Sequence, residues 1–139
     1  MSNLSRIGVA IDSELLAEFD KLLAKRSYTN RSEAFRDLIR NELVEQTWQS
    51  PTSEVFGTVT LVYDHHSRSL TAKLAELQHQ YHAAIMSTIH VHLDHDHCLE
   101  VILVRGKASV IQDLANALIA MKGVKHGRLT ATASGKDLP

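Results

Sequence analysis

The sequence predicts an α+β chain built in two parts, a strand followed by two helices at the N-terminus and a βαββαβ unit behind it. Three patterns carry that expectation. Ile7, Val9 and Ile11 alternate with small residues; two capped apolar stripes of helical period lie between Asp12 and Leu43; and from Val55 the periods run strand, helix, strand, strand, helix, strand.

Over Ile7–Ile11 the period of two predicts a strand with one buried face. Asp12 offers an N-cap to a first helix whose stripe is Leu15, Leu16, Phe19, Leu22 and Leu23, ending around Arg26–Thr29. Asn30 caps a second helix, with Glu33 three positions on in a capping-box pattern and a stripe of Ala34, Phe35, Leu38, Ile39 and Leu43. One strand and two helices cannot bury both stripes or pair the strand alone, so this part should form an intertwined dimer around a two-stranded antiparallel ribbon. The polar segment Gln46–Glu54, with Pro51, reads as a hinge. The expected organisation is a first domain over 1–47, a linker over 48–54, a second domain over 55–133 and a tail over 134–139.

In the second part, Val55–Tyr63, Ile85–Leu93, Cys98–Arg105 and Val124–Ala133 read as strands, and Ser67–His82 and Ala108–Met121 as helices. That order is the split βαβ, ferredoxin-like arrangement, with helices packed on one face of an antiparallel sheet.

Composition narrows the function. The chain has 139 residues, 44% of them hydrophobic, which is enough for a packed core. Apolar runs such as Val101–Val104 are far too short for a bilayer, and Met1–Leu4 lacks the marks of a signal peptide, so no membrane partner is expected. A single cysteine, Cys98, cannot form an intrachain disulfide and fits a reducing cytoplasm. With a net charge of −1, any nucleic-acid contact must come from a local patch or from dimerisation. The unusual feature is nine histidines, eight of them between His65 and His97.

The segment "IHVHLDHDHC" concentrates the chemistry. His90 and His92, two apart on a strand, share a side, and Ile89, Val91 and Leu93 take the other. The helices are expected to cover that apolar side, continued across the turn by Leu99, Val101 and Leu103. Cys98 and Glu100 then join His90 and His92 on the open side. Two imidazoles and a thiolate suit Ni(II), Cu(II) or Zn(II) rather than Mg²⁺ or Ca²⁺. His79 and His82 are the helical candidates for a fourth ligand. With their helix on the covered face, that ligand is expected from a neighbouring subunit.

From Arg6 to about Leu129 the chain resembles the nickel-responsive repressor family (NikR), through "NRSEAFRDLIR", "LQHQYH", "HVHLDHDHCLEV" and "GVKHGRL". The resemblance implies a ribbon-helix-helix DNA-binding domain joined to an ACT-like regulatory domain, in a homotetramer made as a dimer of dimers. It implies one Ni(II) per subunit in a planar site of His79, His90, His92 and Cys98, with His79 supplied across a subunit interface. Gln78 and Glu100 match positions that orient those ligands. At the DNA end it implies that the ribbon enters the major groove of a palindromic operator, presenting Arg6, Gly8 and Ala10. Gly8 and Ala10 depart from the polar residues often found there, which leaves base reading to Arg6, methyl contacts and backbone. Asn30, Arg31 and Ser32 at the start of the second helix would hold a phosphate. Arg68 would add a nonspecific one. Glu33 and Asp37 match a secondary cation site. His65, His66, His82, His95, His97 and His126 remain surface or auxiliary residues, of which His65 and His66 are the first candidates for extra metal.

Two readings of other classes compete. An ACT-like domain could sense a small molecule, or copper or zinc, which leaves the grouping of His90, His92 and Cys98 unexplained in the first case. A metal-storage protein would not need the capped helix pair behind an alternating strand. No base–nucleophile pair points to an enzyme.

Overall fold

The computed structural model describes residues 3–139; Met1 and Ser2, at the head of the expected first domain, lie outside the described residues. Two compact units divide the chain, one up to Arg40 and one from Asn41.

In the first unit, helix α1 (Ser13–Lys25) starts where Asp12 accepts hydrogen bonds from the Glu14 and Leu15 N–H groups at 2.9 and 3.2 Å. Helix α2 (Arg31–Gln49) starts at Asn30, whose Oδ1 accepts from the Glu33 N–H at 2.9 Å. The reciprocal half of the capping box is absent, because the Glu33 carboxylate bonds Arg36 instead. Phe19 and Phe35 meet at 5.3 Å between centroids, and Leu23 and Ala34 are buried. Little else is. Ile7 is 81% and Val9 59% exposed, and Leu15, Leu38 and Ile39 are also exposed. Residues 3–12 form no strand in a single copy, and the ribbon expected over Ile7–Ile11 is one that needs a second chain. The physical reason is that a ladder needs a second strand, and a single copy has none to offer here.

The link between α1 and α2 carries a left-handed residue, Ser27 at φ +63°, followed by a bond from the Tyr28 N–H to the Leu23 carbonyl at 3.0 Å. That is the place in a helix stop where glycine avoids the Cβ penalty. Ser27→Gly should therefore stabilise the chain by about 0.5–1 kcal/mol, read as a rise in the thermal midpoint. An unchanged or lower midpoint would mean that the serine side chain contributes more than the strain costs.

Helix α2 runs on through Gln46–Gln49, where a hinge was expected, and only a short turn precedes the first strand. The physical reason lies in the second unit, where Trp48 packs on the core and its Nε1 donates to the Thr132 carbonyl at 2.9 Å.

That unit contains β1 (Glu54–Asp64), α3 (Arg68–Gln80), β2 (Ile85–His92), β3 (His97–Lys107), α4 (Ala108–Ile119) and β4 (Val124–Thr132). The strands pair antiparallel in the order β2-β3-β1-β4, the ferredoxin-like sheet that the element order predicts. The core joins Val55, Val59, Leu61 and Tyr63 of β1 to Leu70 and Leu74 of α3 and to Ile111, Leu114 and Leu118 of α4. Gly127 on β4 lets α4 approach closely, since a Cβ there would stand 2.7 Å from Ile119 Cγ1.

The expected assignment of sheet faces is reversed. Cys98, Glu100, Ile102 and Val104 are the buried residues of β3, while Ile89 and Val91 of β2 stay about half exposed, at 55% and 47%. The cause is register. Val59 stands opposite Ile102 and Tyr63 opposite Cys98, so the strongly apolar face of β1 takes the Cys98–Val104 parity under the helices with it. Leu99, Val101 and Leu103 fall on the other face.

Candidate metal centre and nucleic-acid interface

The β2–β3 hairpin is held by Asp94, whose Oδ1 accepts from the Asp96 and His97 N–H groups at 2.8 Å each. These bonds, with the His97 ring, hold its carboxyl down at about 2. The Leu93 N–H donates to the His97 carbonyl at 2.9 Å. That turn fixes the register in which His92 faces Cys98 and His90 faces Glu100. All four side chains therefore share one side of the hairpin, as the spacing predicts, but it is the helix side.

His92 Nδ1 lies 3.8 Å from Cys98 Sγ. His65, from the β1–α3 loop, meets the His92 ring edge-on at 4.8 Å between centroids. The ligand atoms of His65, His92 and Cys98 all lie within 4.8 Å of one another. His65 Nδ1 is buried with no hydrogen-bond partner. Desolvation, then the neighbouring His66 and His92, hold its imidazole below the ordinary value and so favour the neutral, ligating form. An orphaned nitrogen beside an imidazole and a thiol is a donor set that fits a borderline-soft divalent ion. Burial first, then the charges of Glu100, Asp64 and Asp94, push the Cys98 thiol up, so a bound cation has to displace its proton.

His90 stands next in line, 5.5 Å from the His92 ring and parallel to the Tyr63 ring at 6.2 Å. Glu100 is buried, and both its oxygens are used. Tyr63 Oη donates to Oε2 at 3.0 Å and Gln78 Nε2 donates to Oε1 at 3.2 Å. Burial and the Glu100 charge raise the Tyr63 phenol well above its ordinary value, so it remains a donor. His79, one residue beyond Gln78, is exposed, and its ring lies 6.0 Å from that of His82 rather than in the group around Cys98. Helix α3 lies on the same side of the sheet as Cys98 and Glu100, so a ligand from this helix in the same chain would not have to cross the sheet. Sequence reasoning missed Tyr63 and left His65 as auxiliary. The signal for Tyr63 was its parity with Val59 and Leu61 on β1. A second group, His66, His95 and Asp96, is wholly exposed, with His66 Nε2 3.1 Å from the His95 carbonyl oxygen.

On the first unit, Arg6, Gly8 and Ala10 are exposed, and nothing lies within 4 Å of a Cβ built on Gly8. Asn30, Arg31 and Ser32 are exposed at the start of α2, with the Asn30 side chain engaged as the cap. Arg31 is engaged too, through a two-pronged pair with Asp20 at 2.9 Å. Glu33 and Asp37 are each held by an arginine on their own helix, Arg36 and Arg40, and Asp37 also accepts from the Tyr28 hydroxyl. Arg68, on the second unit, is exposed behind the Ser67 cap of α3.

A helix pair behind an alternating segment is followed by a ferredoxin-like unit carrying grouped imidazole and thiol donors, the two parts that a metal-responsive DNA-binding regulator needs. Residues 5–46 match the model of the ribbon-helix-helix protein, copG family, and residues 56–132 match that of the NikR C-terminal nickel binding domain. Relatives carrying the name "Putative nickel-responsive regulator" include one from Solibacter usitatus, 64% identical over 99% of both chains, and one from Geobacter sulfurreducens, 53% identical over the same share. The chain belongs to the NikR family of nickel-responsive regulators, which are transcription factors and not enzymes. In fold, an uncharacterised protein from Thermotoga maritima superposes with a TM-score of 0.51 over 56% of this chain and 96% of its own, at 15% identity. No helix among the described residues is long and apolar enough to cross a membrane.

Proposed function

We propose that the chain is a cytoplasmic, nickel-dependent repressor that binds a palindromic operator and controls nickel uptake, acting as a homotetramer with one Ni(II) per subunit. The observation that carries this reading is the grouping of His92 with Cys98 on a turn-locked hairpin. His90 stands beside it, in a chain whose DNA-binding unit leaves its apolar stripes open to a second copy. His90, His92 and Cys98 would supply three donors. His79, exposed on α3, would serve the site of a neighbouring subunit. Gln78 and Glu100 hold the ligand-bearing hairpin in register with α3. Nickel held by these residues would supply the charge that keeps the Cys98 thiolate deprotonated, and the donors of two subunits would share it. For nickel to act as a signal, it must bind the operator-competent state more tightly than the other.

Arg6, Gly8 and Ala10 would line the ribbon in the major groove, with Arg31 and the first N–H groups of α2 on a phosphate and Arg68 on another. Glu33 and Asp37 would hold a secondary cation only after exchanging their arginine partners for it.

The test is Ni(II) titration of the full chain, followed by absorption and by a gel shift on the upstream region of a nickel-uptake gene. A thiolate-to-nickel charge-transfer band, a diamagnetic planar centre and metal-dependent retardation are expected. Retardation that ignores nickel would end the reading. A second reading has its own support in the orphaned His65 nitrogen, which offers a same-chain donor beside His92 and Cys98. His65→Ala and His90→Ala separate the two, because the spectrum should collapse with the variant whose ring binds the ion.

A further inference from the structure

Arg31 opens α2, and Asp20 sits on α1 facing it. Arg31 Nε and Nη2 donate to the two Asp20 oxygens, each at 2.9 Å, in the paired geometry that a guanidinium also offers to a phosphate. Lys21 with Glu18, Arg36 with Glu33, and Arg40 with Asp37 each join residues three apart on one helix. Asp20 and Arg31 instead tie two helices together at the rim of a shallow cleft that Thr29 and Asn30 also line. Both side chains are about half exposed, at 44% and 54%, so the pair is open to an incoming anion.

We propose that the Asp20 carboxylate competes with a DNA phosphate for Arg31 and so lowers the affinity of the chain for DNA. The inference rests on the reading that Arg31 meets the DNA backbone.

The electrostatics favour competition over support. Asp20 takes the Nε edge of the guanidinium, one of its two best faces for a doubly bonded oxyanion. A phosphate arriving there must displace the carboxylate. One arriving at the remaining Nη1–Nη2 edge meets a cation whose charge is already cancelled, with a like charge behind it. Displacement is feasible, because an exposed pair is worth little when a polyanion with released counterions is the alternative. The balance also matters over the whole unit. Residues 1–40 hold seven Lys and Arg against six Asp and Glu, so removing one carboxylate raises the formal charge of this stretch from +1 to +2.

The experiment uses the full nickel-loaded chain and a labelled duplex of random sequence, since phosphate contacts carry no sequence information. Binding is titrated over a salt series for wild type, Asp20→Asn, Glu18→Gln, Arg31→Ala and the Asp20→Asn/Arg31→Ala double variant. Circular dichroism and thermal melting establish that each is folded at the assay temperature. Glu18→Gln removes the same charge from the same helix and frees Lys21 rather than Arg31, so it measures what a lost carboxylate and a released cation do away from the start of α2.

Asp20→Asn should bind at least about threefold more tightly than Glu18→Gln at low salt. Its plot of log affinity against log salt should also be steeper, by up to about 0.9 for each Arg31 released onto a phosphate. The gain should vanish in the Arg31→Ala background. Asp20→Asn that matches Glu18→Gln, that keeps its gain without Arg31, or that binds more weakly because Asp20 positions Arg31, overturns the proposal while leaving Arg31 on the DNA. If Arg31→Ala binds as wild type does, the phosphate reading of Arg31 fails first and takes the competition with it.

Discussion

Cys98→Ala is expected to weaken nickel binding by more than about a hundredfold, to remove the thiolate-to-nickel absorption band and to abolish nickel-dependent DNA binding. Structural zinc sites set the scale. Roughly 10–16 kcal/mol shared among four ligands makes one ligand worth about 3 kcal/mol, or more than two decades in affinity. The fold should survive, because although Cys98 is fully buried on β3, alanine loses only the sulfur there. The variant also carries a pH signature. The buried thiol is raised above its ordinary value, so it is protonated near neutrality and a metal ion must displace that proton. In the wild type the thiol should therefore contribute a loss of about tenfold in affinity per pH unit as the pH falls, added to that of the histidines. In Cys98→Ala the thiol's contribution disappears. A variant that kept both the absorption band and the wild-type pH slope would place nickel elsewhere.

Much of the fold was legible because local signals agreed. Asp12 and Asn30 cap the two helices they were expected to cap, and the βαββαβ order appears as the antiparallel sheet β2-β3-β1-β4. The sequence failed where one strand offers two acceptable faces. On β3, Leu99, Val101 and Leu103 look as apolar as Ile102 and Val104, so period alone does not say which parity lies under the helices. β1 resolves it, because Val55, Val59 and Leu61 are plainly the inner face and the register carries that choice to β3. The same residues explain why period puts His90, His92 and Cys98 on one side of the hairpin without saying which side lies under the helices. Spacing fixes relative orientation within a hairpin; only pairing to a third strand fixes it against the core. His65 was undervalued for a different reason. Its contact with His92 depends on where the β1–α3 loop turns, as Asp64 Oδ1 accepts from the His66 N–H and the His65 N–H reaches the Asp96 carbonyl. No periodicity encodes that.

Glu100→Ala should destabilise the chain by roughly 2–4 kcal/mol, although it removes a buried charge. Two effects oppose each other. A carboxylate at 7% exposure is costly to desolvate, and replacing buried ions by well-packed apolar groups is often harmless. Alanine, however, leaves space unfilled and orphans the Tyr63 hydroxyl, itself on a residue only 4% exposed, together with the Gln78 amide that ties α3 to the sheet. An orphaned donor costs about 1–3 kcal/mol each, so the loss outweighs the relief of desolvation. The thermal midpoint should fall by about 10 °C or more for a unit of this size. Nickel affinity should fall with it by about tenfold, since Tyr63 lies along the His90 ring and Glu100 stands opposite His90 in the register. Glu100→Gln separates shape from charge. Its amide can accept from Gln78 and donate to the Tyr63 oxygen, so most of the stability should return. Tyr63→Phe added to Glu100→Ala should recover part of the loss by removing the orphan. If Glu100→Ala melted at or above the wild-type temperature, desolvation would be the larger effect and the network would not be what holds α3 over the hairpin.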